Sequence, residues 1–70
     1  MTKEEHEEKL TNHIRNHSNA KLYFKWMNDE HMSLSVMEKE PKKQKYLAYI
    51  AACLGYSAHV YENDFVHIYF

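Results

Sequence analysis

The sequence predicts a small α+β protein with N-terminal helices, a core helix at about 41–54 and a C-terminal β-hairpin at about 57–70. Three observations favour this class: a helix-capping pattern at Thr2, a helix-forming stretch bracketed by Pro41 and Gly55, and alternating side chains over the last twelve residues. At 70 residues the chain is expected to form a single domain with a modest core.

Composition limits the classes of function. One cysteine excludes an internal disulfide, and a formal net charge of −1 gives no overall attraction to nucleic acid or anionic membranes. No stretch approaches the roughly 20 apolar residues of a membrane span. The charged N-terminus is unlike a signal peptide. We therefore expect a cytoplasmic protein with no membrane attachment.

Residues 2–17 are predicted to form the first helix. Thr2 can act as the N-cap, and Glu5 three positions later completes a capping box. Leu10 and Ile14 supply a narrow apolar stripe, so this helix should pack along a thin seam.

Residues 20–27 fit two patterns. Alternation of Ala20, Leu22, Phe24 and Trp26 indicates a strand, whereas a 3.6-residue period indicates a helix capped by Ser18 or Asn19. The helix is preferred, because the following Asn-Asp-Glu-His contains neither glycine nor proline. Residues 28–40 are predicted to be a connection with a short helical or extended piece.

Residues 41–54 carry clearer signals. Pro41 suits the first helical position, and Gly55 suits a left-handed residue just past the end. The spacing of the larger apolar side chains predicts a buried stripe formed by Tyr46, Leu47, Ile50, Ala51 and Leu54.

The last segment, HVYENDFVHIYF, is predicted to pair around a loop of three residues, Glu62-Asn63-Asp64. That register places Val60 opposite Val66 and keeps like side chains on the same face. One face is then Ala58, Val60, Val66, Ile68 and Phe70, and the other is His59, Tyr61, Phe65, His67 and Tyr69. Asn63 or Asp64 can adopt the positive φ that such a loop needs.

The core helix can cover only the aliphatic face. The ring-bearing face is then in contact with a partner or a second copy, covered by residues 20–27, or part of a ligand site. We favour a partner protein, with the candidate binding residues Tyr61, Phe65, His67, Tyr69, His59 and Trp26. Trp26 would be an anchor, because large rings dominate interface energetics.

Metal and catalytic sites have weaker support. His13 and His17, four residues apart on a helix, and the opposed His59 and His67 could each ligate a metal, but no third ligand is indicated. Cys53 near the end of the core helix is expected to be a small buried hydrophobe. We expect no enzyme activity, no metal and no cofactor.

DNA binding is the alternative. The predicted order of elements also fits a winged helix, in which Lys42, Lys43 and Lys45 would meet phosphates and residues 59–70 would form the wing. An acidic wing tip and a net negative charge argue against it.

The sequence is therefore interpreted as that of a small non-enzymatic regulator or inhibitor that binds another protein. Self-association through the strand at 65–70 is a companion hypothesis. The richness in Lys, Asn, His and Tyr would suit a small phage or mobile-element product that modulates a host protein.

Overall fold

The computed structural model describes residues 1–61 and 63–70. One helix followed by two strands occurs twice along the chain. These elements are α1 (Lys3–Arg15), β1 (Lys21–Asn28), β2 (His31–Met37), α2 (Pro41–Cys53), β3 (Ser57–Val60) and β4 (Phe65–Tyr69). The α+β class, the core helix and the C-terminal hairpin are as predicted.

The start of α1 matches the capping pattern. The Thr2 hydroxyl accepts a hydrogen bond from the Glu5 amide at 3.2 Å, and the Glu5 carboxylate accepts one from the Thr2 amide at 3.1 Å. The hydrogen bond from the Thr2 amide to the carboxylate also holds the pKa of Glu5 below its ordinary value. Of the apolar residues in α1, Leu10 and Ile14 are the buried pair, as expected.

The preference for a helix at residues 20–27 is wrong, because this stretch is strand β1. It pairs antiparallel with β2, with Phe24 opposite Leu34. The reversal between them uses the side chain of Asn28, whose Oδ1 accepts a hydrogen bond from the Glu30 amide at 2.8 Å. An asparagine side chain thus closes a turn that has no glycine or proline.

Residues 31–37, expected to be part of a connection, form a central strand of the sheet. The strand order is β1-β2-β4-β3, and each neighbouring pair is antiparallel. Met32, Leu34 and Val36 on β2 are completely buried. In the sequence, β1 and β2 come between the two helices. The chain therefore does not have the order of elements of a winged helix.

Helix α2 begins at Pro41 and ends before Gly55, which has a φ of 94°. Of the predicted stripe, Leu47 and Ala51 are buried, whereas Ile50 and Leu54 are only partly buried. Tyr46 is exposed, and Gln44 is buried in its stead, with its side-chain amide donating to the Glu38 carbonyl at 2.6 Å.

The C-terminal hairpin adopts the predicted register. Val60 pairs with Val66 and His59 with His67, and the Tyr61 amide donates to the Phe65 carbonyl. Asp64 adopts a φ of 64°, the left-handed conformation anticipated for this loop. Glu62, also assigned to the loop, lies outside the described residues.

Both helices pack on one face of the sheet. The shared core joins side chains from both helices, the inward positions of β2 and β4, and one residue between α2 and β3. Its members are Leu10, Ile14, Met32, Leu34, Val36, Leu47, Ala51, Tyr56, Val66 and Ile68. Neighbouring residues of a strand point to opposite faces, and neither of the two helices in the described chain packs on the second face of the sheet. Within residues 1–61 and 63–70, neither helix is long and apolar enough to cross a membrane.

Candidate interaction surface on the open sheet face

The sheet face without helices carries a mixture of rings, serines, methionines and two lysines. We call it the open face and define it as Lys21, Tyr23, Lys25 and Met27 of β1, His31, Ser33, Ser35 and Met37 of β2, Phe65, His67 and Tyr69 of β4, and Ser57, His59 and Tyr61 in and after β3. The strand register aligns these side chains in rows across the sheet. One row runs Tyr23, Ser35, His67 and His59.

The tyrosines of the open face are largely accessible to solvent. Tyr23 is 50% exposed, Tyr61 45% and Tyr69 40%. Residues 20–27 do not cover the hairpin rings, because β1 lies in the same sheet beyond β2. The alternative in which this part of the chain covers the ring-bearing face is therefore wrong.

Four of the hairpin rings contact one another in succession, and we call them the ring ladder: His59, Tyr61, His67 and Tyr69. Ring centroids are 4.9 Å apart for His59 and Tyr61, 5.8 Å for Tyr61 and His67, and 5.0 Å for His67 and Tyr69, the last pair being stacked. Such contacts restrict the rotamers of the rings before any partner arrives. A partner that packs against the ladder would lose less side-chain entropy than on a mobile surface.

His67 also contacts the neighbouring strand. Its Nε2 shares a hydrogen bond of 2.5 Å with the Ser33 hydroxyl, while Nδ1 lies 3.5 Å from the Tyr61 hydroxyl. A Ser-His pair is part of the arrangement that activates a nucleophile, but catalysis also needs donors for an oxyanion. Ser33 lies inside a paired strand, opposite both Lys25 and Tyr69, and its hydroxyl contacts one nitrogen of the imidazole.

Trp26, proposed as an anchor for a partner, lies on the opposite face. Its ring packs against His6 and Phe70, and its Nε1 donates to a Glu7 carboxylate oxygen at 2.6 Å. The ring is half-buried beneath α1. The candidate set therefore divides into five hairpin rings that share the open face and Trp26, which does not belong to it.

The lysines of the DNA-binding hypothesis are in the helical layer. Lys42, Lys43 and Lys45 are exposed near the start of α2, and Lys43 pairs with Glu40 at 3.7 Å. The rings lie across the sheet from them. The structure does not bring the predicted phosphate-binding lysines and the hairpin rings onto one surface.

The histidines considered as metal ligands have other contacts, although the register does place His59 opposite His67. The His13 Nδ1–H donates to the Lys9 carbonyl at 2.8 Å, and His17 packs against Tyr46. In the described part of the chain, no three or more potential ligands gather as a metal site. Cys53 is exposed, contrary to its expected burial, because it faces away from the sheet.

Charge is distributed unevenly between the open face and the rest of the protein. The open face as defined carries Lys21 and Lys25 but no carboxylate. The acidic residues of the described chain lie in α1 or at turns and helix entrances, such as Asp29 and Glu38. A chain with a net charge of −1 thus presents a neutral to basic sheet face.

Sequence reasoning missed the contribution of β1 and β2 to this surface, including Tyr23, Ser33 and Ser35. All three belong to β1 or β2, where no pairing was predicted. The period-2 pattern of residues 20–27 was the available signal, since it separates Tyr23 from the apolar Leu22 and Phe24. Comparison with protein-family models, curated proteins and solved structures finds no match to this chain.

Proposed function

We propose that this protein is a small non-enzymatic regulator or inhibitor that binds another protein through the open face. The observation that carries the proposal is the exposure of the ring ladder on a sheet face that no helix covers. A flat face suits another macromolecular surface better than a small molecule, which is usually enclosed by a cleft.

The composition of the open face supports a protein partner. It contains three tyrosines and three serines, the residue types that also dominate antibody paratopes. Tyrosine offers a large, stiff contact area with few rotatable bonds, and serine adds adaptable hydrogen bonds. Carboxylates, which are depleted at interface centres, are absent from the open face as defined.

The size of the face limits the complex that it can form alone. Four strands spaced about 4.8 Å apart and about six residues long present an area on the order of 400 Å². Each partner in a standard interface contributes about 800 Å². We therefore expect a stable partner to extend past the open face to the sheet edges or the turns.

The proposal is tested by comparing three tagged proteins as baits in an extract of the native cell. They are the wild type, a Tyr61→Ser/Tyr69→Ser variant of the open face, and a matched Tyr46→Ser/Tyr49→Ser variant of α2. All four tyrosines are exposed, at 40% to 67%, so each pair makes the same chemical change at accessible sites.

We expect mass spectrometry to identify a protein that the wild type and the α2 variant both retain and the open-face variant loses. Thermal denaturation should show that all three baits are folded at the capture temperature. Equal retention by all three folded baits, or loss with the α2 variant alone, would contradict the proposal.

A further inference from the structure

We infer that the outer edge of β1 accepts an extended acidic segment of a partner protein as a fifth strand of the sheet. This goes beyond the proposed function, because the segment would bind the backbone of β1 and not the ring ladder. Three features of β1 lead to the inference: a long unpaired edge, an incomplete apolar layer, and two lysines.

The edge is long and, among residues 1–61 and 63–70, has no strand partner. β1 has eight residues and stands first in the strand order, whereas β3 at the other edge has four. In the part of the chain that the structure describes, no backbone hydrogen bond joins residues 21–27 to anything other than β2. About half of the amide and carbonyl groups of an edge strand point outward, where an added strand can pair with them.

The position of α1 sets the limit of this edge. A guanidinium nitrogen of Arg15 donates to the Ala20 carbonyl, immediately before β1 begins. The free edge therefore starts at Lys21.

The apolar layer beneath β1 is incomplete. Leu22, Phe24 and Trp26 are half-buried, whereas their direct partners on β2, namely Val36, Leu34 and Met32, are completely buried. Burial of apolar surface stabilises a complex. Alternate apolar side chains of an added strand would extend this layer by one row.

The other face of β1 defines the charge of the incoming segment. Lys21 and Lys25 flank Tyr23 on the open face, so an added strand would place side chains directly opposite both lysines. Opposite charges in cross-strand pairs are favourable and like charges unfavourable. The matching segment has an acidic residue at each end of a five-residue stretch and apolar residues at its second and fourth positions.

A second copy of this chain fits less well than an acidic segment. When two copies of β1 pair antiparallel about Tyr23, each Lys21 stands opposite a Lys25. Lysine on edge strands is a common device against such self-pairing. The same lysines that discourage a second copy favour an acidic partner.

The test uses two acetylated and amidated peptides, Val-Glu-Val-Thr-Val-Glu and Val-Lys-Val-Thr-Val-Lys, added to ¹⁵N-labelled full-length protein. We expect the acidic peptide to shift the amide resonances of residues 21–27 and the lysine peptide to bind about tenfold more weakly. In a Lys21→Glu/Lys25→Glu variant the preference should reverse. If that variant does not fold, Lys21→Gln/Lys25→Gln should remove the preference.

Several results would overturn the inference: equal shifts from both peptides, shifts confined to the ring ladder, or no shifts at all. Concentration-dependent shifts in β1 without peptide would identify a second copy as the occupant. A dT10 oligonucleotide that competes at the β1 amides would identify a nucleic acid. The Tyr61→Ser/Tyr69→Ser variant should bind the acidic peptide normally, so this inference and the proposed function can fail separately.

Discussion

Leu34 shows at the scale of one residue why β2 is the centre of the fold. Its side chain is completely buried in a strand with neighbours on both sides. We expect Leu34→Ala to lower the free energy of unfolding by about 2–4 kcal/mol, because it removes buried methyl groups and leaves a cavity. Met27→Ala on the open face is the control, since Met27 is 62% exposed.

Urea denaturation followed by circular dichroism measures both variants. The Met27→Ala change should stay within about 0.5 kcal/mol of wild type. A loss at Met27 as large as that at Leu34 would mean that the open face is packed against something in the free protein.

Tyr56 is a second residue with a measurable role, at the junction of α2 and β3. Its hydroxyl shares a hydrogen bond of 2.7 Å with His6 Nδ1, and burial raises the pKa of the phenol. A raised pKa means that the folded state favours the neutral phenol. This contribution to stability is complete below the pKa of an unfolded tyrosine and is lost as the pH rises through the higher folded value.

We therefore expect wild type to lose more unfolding free energy than Tyr56→Phe between pH 8 and pH 11. At pH 8 the phenylalanine variant should be less stable by about 1 kcal/mol, because it lacks the hydrogen bond to His6. Urea denaturation at both pH values provides the comparison. Parallel losses in the two proteins would show that Tyr56 does not cause the alkaline sensitivity.

At the scale of the element, the loop of the C-terminal hairpin depends on Asp64. This residue has a φ of 64°, and its carbonyl accepts a hydrogen bond from the Glu38 amide at 2.9 Å. We expect Asp64→Gly to be at least as stable as wild type, and Asp64→Val to lose about 1 kcal/mol or more, because a β-branched residue is strained at positive φ. Thermal denaturation of the two variants tests this, and a valine variant as stable as the glycine one would contradict it.

The elements differ in how far they could be predicted. The hairpin register followed from the sequence because only a three-residue loop matches Val60 with Val66 and His59 with His67. The bounds of helix α2 were predicted from Pro41 at its start and Gly55 just past its end. Strand β1 was missed because a short apolar run fits both periods, and its turn depends on a side-chain hydrogen bond of Asn28.

The sequence predicted the part of the candidate site that lies on the C-terminal hairpin. Its five rings share one face by alternation alone. The contact between Ser33 and His67 could not be foreseen, because it depends on the pairing of β2 with β4 across 34 residues of sequence. The position of Trp26 on the opposite face could not be foreseen for a related reason, since it depends on the place of β1 in the sheet.

At the scale of the whole molecule, two layers leave one sheet face without a cover. The described core contains ten hydrophobic residues, and all of them lie between the helices and one side of the sheet. The chain of 70 residues therefore folds around one apolar layer and keeps a second set of rings outside it. Under the proposed function, these rings contribute to binding and little to folding.

Urea denaturation of the Tyr61→Ser/Tyr69→Ser variant, compared with wild type at one protein concentration, tests this claim most directly. We predict a loss of no more than about 1 kcal/mol in the free energy of unfolding, because both side chains are 40% or more exposed. A loss of about 3 kcal/mol or more would place the rings in the folded core and contradict the account.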